Sequence, residues 1–332
     1  MKFLKFLGTR IITFVLVIMI GVTTIFFVPR FMPSDPVENM IGQMISKQSN
    51  MTPEAIQLYR ESLSDTFGLE GSLGEQYVGF LKKVFVTGDF GPSLAAYPTP
   101  VMDMVRRAVP WTLGLMLTST LISWLLGNFI GLLAGFRKNK WYAKILEGMA
   151  VFLYPIPYYV FALALIMIFC YVIPVFPLSM TLDNMAFNWS TISTILKNSI
   201  LPALSLILVG LGWWVISTKA LTTSVVEEDY VYYAKLKGLS QQRIMMRYIT
   251  PNVALPQITT LALQIGGVFN GALITEILFG YPGLGKLIYT GIVQADYNLI
   301  MGTITISIVS ITIATFVVDI IYPFLDPRIR NT

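Results

Sequence analysis

A chain of 332 residues that is 55% hydrophobic and only 12% charged, with a mean hydropathy of +0.69, carries more apolar surface than a soluble domain of this size keeps from water. It reads as an integral membrane protein. Its formal charge of +5 is small and scattered, which argues against nucleic acid. With no histidine and Cys170 as the one cysteine, there is no disulfide framework, no Cys/His metal cluster, and little from which to build a membrane-embedded enzyme.

Lys2, Lys5 and Arg10 open the chain, and residues 11–28 follow as 18 positions without a charge. That is about 27 Å of helix, enough to cross a bilayer. A basic start also suits a cleaved signal peptide, but the apolar stretch is long and no small-x-small pattern follows, so the segment reads as an anchor. Residues 30–108 change character, with seven basic and nine acidic side chains between Arg30 and Arg107 and no window long enough to cross. They predict a polar domain. Within it Thr52-Pro53-Glu54 starts a helix reaching Asp65. Gly71 to Gly74 and Gly88-Asp89-Phe90-Gly91 read as turns flanking a short amphipathic helix near 77–85.

Five further apolar runs, 111–136, 149–176, 199–217, 253–275 and 299–325, bring the expected spans to six. Pro155 and Pro157 predict a kink in the third span, and Pro202 sits at the start of the fourth. Lys and Arg are unevenly shared among the short loops: three in residues 1–10, four in 137–144 and five in 219–247, against Lys197 and Lys286 alone in the alternate loops. Both termini are therefore expected in the cytoplasm, with 30–108 and the loops around Asp183 and Tyr281 outside. No internal repeat marks the chain as a fused pair of halves.

Polar groups at membrane depth are costly against lipid. Gln264 and Asn270 in the fifth run, Asn128 in the second and Glu276 at the outer end of the fifth are candidates to line a translocation path. Asp319 near the inner end of the sixth is expected to bond a neighbouring helix, and helix-to-helix hydrogen bonding is the alternative role for all of them. Trp213 and Trp214 suit interfacial anchoring. Gly280-Tyr281-Pro282-Gly283-Leu284-Gly285-Lys286 has the skeleton of a phosphate-binding loop. Leu287 stands where Ser or Thr must hold Mg²⁺, and the stretch follows a membrane span on the outer side, so nucleotide binding is rejected there.

The longest charged stretch between two apolar runs is 227–256, EEDYVYYAKLKGLSQQRIMMRYITPNVALP. Glu228 and Asp229 suit a helix N-terminus, Lys235 and Lys237 its last turn, and Gly238 its stop. Ser240 caps a second short helix, 241–249, which Pro251 ends. Ala234 and Gly238, four apart, predict a shallow notch beside Tyr230 and Tyr233 into which another protein could pack; a solvated amphipathic helix is the alternative. The helix-turn-helix outline, with Arg243 and Arg247, lies between membrane spans, which argues against DNA.

The pattern E-D-Y-V-x-x-A-x-x-K-G-L-S, followed by a basic helix and N-x-x-L-P, resembles the "EAA" coupling loop of ABC importer permeases of the dipeptide/oligopeptide class. Met32-Pro33-Ser34-Asp35-Pro36, Gly280 to Gly285 and Leu325-Asp326-Pro327-Arg328-Ile329-Arg330 are also similar to that family, so the resemblance covers nearly the whole chain. The chain departs from the motif at its name-giving Glu and first Ala, which fall on Tyr232 and Tyr233; Ala234 keeps the second Ala.

The resemblance implies an all-α membrane protein with the six-helix type I permease fold. An N-terminal end and first helix (1–29) precede an extracytoplasmic domain (30–108). A five-helix core (109–325) carries the coupling loop (223–256), and a cytoplasmic tail (326–332) follows. It implies a subunit forming half of a solute pathway in the bacterial or archaeal cell membrane, coupled to ATPases through Asp229, Tyr230, Tyr233, Ala234, Gly238 and Leu239. Its expected partners are a second homologous permease in a heterodimer, two cytosolic ABC ATPases, an extracytoplasmic solute-binding protein and the bilayer. ATP and Mg²⁺ belong to the ATPases, and no cofactor or metal is expected on this chain. The expected solute is a di- or oligopeptide. Gly212-Trp213-Trp214 and residues 264–271 look like the oligosaccharide-carrying subset, which stays open. Direct nickel coordination is not expected, and a secondary transporter or channel would want repeat symmetry and mid-membrane ionisable groups.

Overall fold

The structure, a computed structural model, describes residues 2–31, 37–38, 41–42, 45, 52–69, 71–94, 96–179, 188–270 and 272–325. The segments 32–36, 180–187 and 326–332, which include the Met32–Pro36 motif, the loop at Asp183 and most of the C-terminal motif, lie outside them. Among the described residues the regular elements are all helices, with one isolated bridge between Pro92 and Pro100. Contacts divide it into two units: Met1–Thr112 with Phe269–Leu273 and Pro282–Ile313, and Leu113–Val268 with Ile274–Tyr281 and Ala314–Thr332.

In the first unit, α1 (Lys2–Arg30) buries Ile18, Val22, Ile25 and Phe26, the i, i+4, i+7, i+8 stripe of one helix face. α2 (Pro53–Phe67) begins where Pro53 predicts. α3 (Leu73–Lys82) starts with a capping box, Ser72 accepting from the Glu75 amide while Glu75 accepts from the Ser72 amide. Gly71 and Gly88 take positive φ on either side of it, but Gly74 lies inside the helix rather than in the expected turn. α3 packs on α1: the Thr23 and Tyr77 hydroxyls are 2.7 Å apart, and Arg30 donates to Gln76 at 3.1 Å while its guanidinium lies 3.6 Å above the Phe26 ring. Phe80, Phe90, the N-terminal turns of α4 (Val101–Phe136), Leu284 of α12 (Leu284–Val293) and Leu299 to Met301 of α13 (Tyr297–Leu325) complete this core.

In the second unit, α5 (Trp141–Leu153) and α6 (Tyr158–Ile166) meet at Pro155 and Pro157, and the bend between Trp141–Leu153 and Tyr158–Val172 is 96°. The expected kink is therefore present. α7 (Trp189–Val226) is longer than the run that predicts it. Asn188 caps it by accepting from the Thr191 amide at 2.8 Å, and Pro202 stands inside the helix. α4 and α7 lie against each other along small residues. A Cβ added to Gly131 or Gly135 would stand 2.7 or 2.6 Å from the Cβ of Thr218 or Thr222, and Gly127 is similarly pressed against Trp214.

The fifth expected span is not one helix. α10 (Thr250–Gly266) gives way to a tight turn, Gly267–Asn270, before α11 (Leu273–Leu278) begins. Two adjacent glycines weaken helix continuity where hydropathy alone registers an unbroken run. Among the described residues four helices are long and apolar enough to cross a membrane, or five where the bent α5–α6 pair is counted as one span, against the six expected.

Candidate functional site

The charged stretch folds as helix, turn, helix. α8 (Asp229–Leu236) carries Asp229 in its first turn and Lys235 in its last. Gly238 follows with φ +71°, the left-handed conformation that ends a helix without steric cost in glycine. The Leu239 amide reaches back to the Ala234 carbonyl at 3.3 Å. Ser240 caps α9 (Gln241–Ile244), accepting from the Arg243 amide at 3.3 Å. The chain then winds more loosely through Met245–Ile249 into α10.

The expected notch does not form, because Ala234 is buried. It joins Val231, Ile244, Ile249 and Val253 in a core that also takes Leu132 and Phe136 from α4 and Leu221, Val225 and Val226 from α7. The face that α8 presents outward is instead Tyr230, Tyr232, Tyr233 and Leu236, with Leu236 65% exposed. Asp229 and Gly238 are exposed too, and Leu239 is half-buried. The inward set follows Val231 and Ala234, three apart, so the helix turns its aromatic side away from its foundation. Partial burial pushes the Tyr230 phenol up, and the neighbouring Glu228 adds to that. Lys138, in the turn after α4, reaches Glu227 at 2.9 Å, and Lys219 of α7 pairs with Glu147 of α5.

The four candidates for a solute path are placed differently. Asn128 is half-buried; its amide donates to the Trp124 carbonyl and its oxygen accepts from Thr218 of α7, both at 2.8 Å. Gln264 is exposed on α10. Glu276 is fully buried on α11, and its carbonyl accepts from the Tyr281 amide at 2.8 Å. The backbone of Asn270 ends the turn after α10; its side chain lies outside the described set. Trp214 is 1% exposed beneath Gly127 and does not anchor at an interface, whereas Trp213 lies against Tyr154 with ring centroids 5.8 Å apart.

Gln257 is a polar residue that composition and spacing left unmarked. It is 1% exposed on α10; its side-chain amide donates to the Ser217 hydroxyl at 3.0 Å, and its backbone carbonyl accepts from the Trp124 indole at 3.3 Å. With Asn128 and Thr218 it forms a polar seam through α4, α7 and α10. A lone amide next to Pro256 in an apolar run was the available signal. In the phosphate-loop look-alike, the first helical amide, Leu284, is already bonded to Thr112 at 2.8 Å.

Residues 127–331 match the family described as "Binding-protein-dependent transport system inner membrane component", and residues 3–116 match "Binding-prot-dependent transport system membrane comp, N-term". The oligopeptide transport system permease protein AppB of Bacillus subtilis is 32% identical, over 94% of this chain and 95% of its own length. The dipeptide transport system permease protein DppB of the same organism is 30% identical over 94% of each. The probable D,D-dipeptide transport system permease protein DdpB of Escherichia coli is 28% identical over 99% and 98%.

Proposed function

Since the chain belongs to the family of binding-protein-dependent transport system inner membrane components, we propose that it is the permease that opens a path for di- or oligopeptides, driven through the outward face of α8. It is a multi-pass membrane component of an ABC importer. The full reading counts α10, its turn and α11 as one broken crossing, which brings the spans to six. It puts both termini and 219–250 in the cytoplasm, and 30–108 outside as an extracytoplasmic insertion. ATP and Mg²⁺ are handled by two partner ATPases, a solute-binding protein delivers the peptide, and a second, different permease supplies the other half of the path. Gln264 and Asn270 are assigned to that path, with Glu276 and Asn128 supporting it.

The observation that carries this reading is the division of α8 into a buried side and an exposed aromatic side. Val231 and Ala234 fix the helix to α4, α7 and α10 through one apolar core. Packed cores transmit displacement rather than absorbing it. A push on Tyr230, Tyr233 or Leu236 is therefore delivered to the ends of three helices at once.

The test is substitution on each side in the assembled transporter. Tyr233→Asp and Leu236→Asp are expected to keep the thermal unfolding midpoint but weaken ATPase association roughly thirtyfold, the ~2 kcal/mol of an aromatic hot spot. Ala234→Asp is expected to lower the midpoint itself, since it buries a charge in the chain's own core. Normal ATPase association and uptake in both outward variants would sink the assignment. The partner binding protein, assayed with dipeptides, oligopeptides and oligosaccharides, reads the solute class.

A further inference from the structure

We propose that the turn after α4 and the exposed side of α5 bind an anionic phospholipid, its phosphate held by Lys140, Lys144 and Arg137 and its acyl chain lying along α5. This rests on the reading of the chain as a membrane permease with that turn at the membrane surface. Arg137, Lys140 and Lys144 are all exposed, and Arg137 is steadied by donating to the Tyr142 hydroxyl at 3.1 Å. The nearby acids are engaged elsewhere, Glu147 with Lys219 and Glu227 with Lys138. Among the described residues no carboxylate pairs with Arg137, Lys140 or Lys144.

An apolar stripe begins within one turn of these cations. Trp141 is 72% exposed, and Ile145, Met149 and Phe152 continue the same face at four- and three-residue steps, all exposed. Gly148 interrupts the bulk of that face: nothing lies within 4 Å of where its Cβ would be. The result is a trough bordered by Ile145, Met149 and Phe152, with a Trp and two lysines at its head. Each half of this surface excludes a simpler occupant. A soluble anion would satisfy the charges and leave the stripe bare; an apolar helix would cover the stripe and strand the lysines. A molecule with a phosphate at one end and a hydrocarbon chain at the other satisfies both, and a Trp beside lysines suits the headgroup level.

The test uses the assembled transporter in phosphatidylcholine nanodiscs, with brominated phosphatidylglycerol or brominated phosphatidylcholine as quencher of indole fluorescence. The Trp141 signal is the difference between wild type and Trp141→Phe. Brominated phosphatidylglycerol is expected to quench it at several-fold lower mole fraction. Lys140→Gln and Lys144→Gln are each expected to reduce that preference about fivefold, the equivalent of ~1 kcal/mol per basic residue at an anionic surface. Added inorganic phosphate is expected to leave it unchanged. Equal quenching by the two lipids, competition by phosphate, or no quenching because protein covers the stripe would each overturn the site. Loss of the lipid preference with ATPase association intact removes this proposal alone, and normal ATPase association in the α8 variants with the preference intact removes only the α8 coupling assignment.

Discussion

The Ser93 hydroxyl donates to Asp296 over 2.6 Å, joining positions 203 apart in the chain, and both residues are fully buried. The same carboxylate accepts the Leu299 amide at 3.0 Å, so one side chain caps α13 and holds the loop that follows Gly88. Asn298 adds a second tie by donating to the Pro92 carbonyl at 3.0 Å. Ser93→Ala leaves part of a buried carboxylate without its donor and is expected to cost about 1–3 kcal/mol. Asp296→Ala removes the cap as well, and should lower the thermal unfolding midpoint of the purified complex further than Ser93→Ala does.

The glycines of α4 make the sharpest steric prediction. At Gly131 an added Cβ would stand 2.7 Å from both the Val215 carbonyl oxygen and the Thr218 Cβ. The first of these is backbone, which does not swing away. Gly131→Val is expected to separate α4 from α7 and break the Asn128–Thr218 hydrogen bond, at a cost of about 1–3 kcal/mol or more for overpacking. Gly114, on the same helix, has nothing within 4 Å, so Gly114→Ala should leave the midpoint unchanged. Equal tolerance at the two positions would contradict the close approach.

Gly238 is constrained by its backbone and not by space, since its φ is +71° and no atom lies near its missing side chain. A β-branched residue there must either strain the turn or unwind the end of α8. Gly238→Val is expected to cost about 1–2 kcal/mol and to reduce ATP-driven uptake, while Gly238→Asn, which tolerates the left-handed region, retains most of it. Hydrogen exchange of the 235–240 amides separates the two variants.

Orientation is checked by chemistry. In a Cys170→Ser background, Ser72→Cys is expected to react with an impermeant maleimide in intact cells, and Ser240→Cys only after permeabilisation. Both positions are exposed, so access and not burial decides the outcome. Labelling at 240 alone would invert the arrangement.

Local signals made much of this fold legible. The uncharged run at 11–28 marked a crossing helix, although α1 begins ahead of that run, at Lys2. Gly238 and Ser240 marked the stop and the cap between α8 and α9, because each acts on backbone groups within a few residues. The inward side of α8 was not legible. Ala234 is four residues from Gly238 and three from Val231, both same-face spacings on a helix, and what draws it inward is a core that takes Leu132 and Phe136 from α4 and Leu221 and Val225 from α7. The same non-local packing took Trp214 from the interface into the α4–α7 seam, opposite a glycine. Hydropathy joined 253–275 into one run because averaging over a window does not weigh the Gly266–Gly267 pair that ends α10.

The burial of Ala234 separates what the loop stands on from what it displays. Where this chain departs from the coupling motif, at Tyr232 and Tyr233, the side chains point outward, 59% and 62% exposed. Where it keeps the motif, at Ala234, the residue is foundation. On the proposed docking role of α8, its outer lettering can be rewritten to suit a different motor while its footing stays as it is.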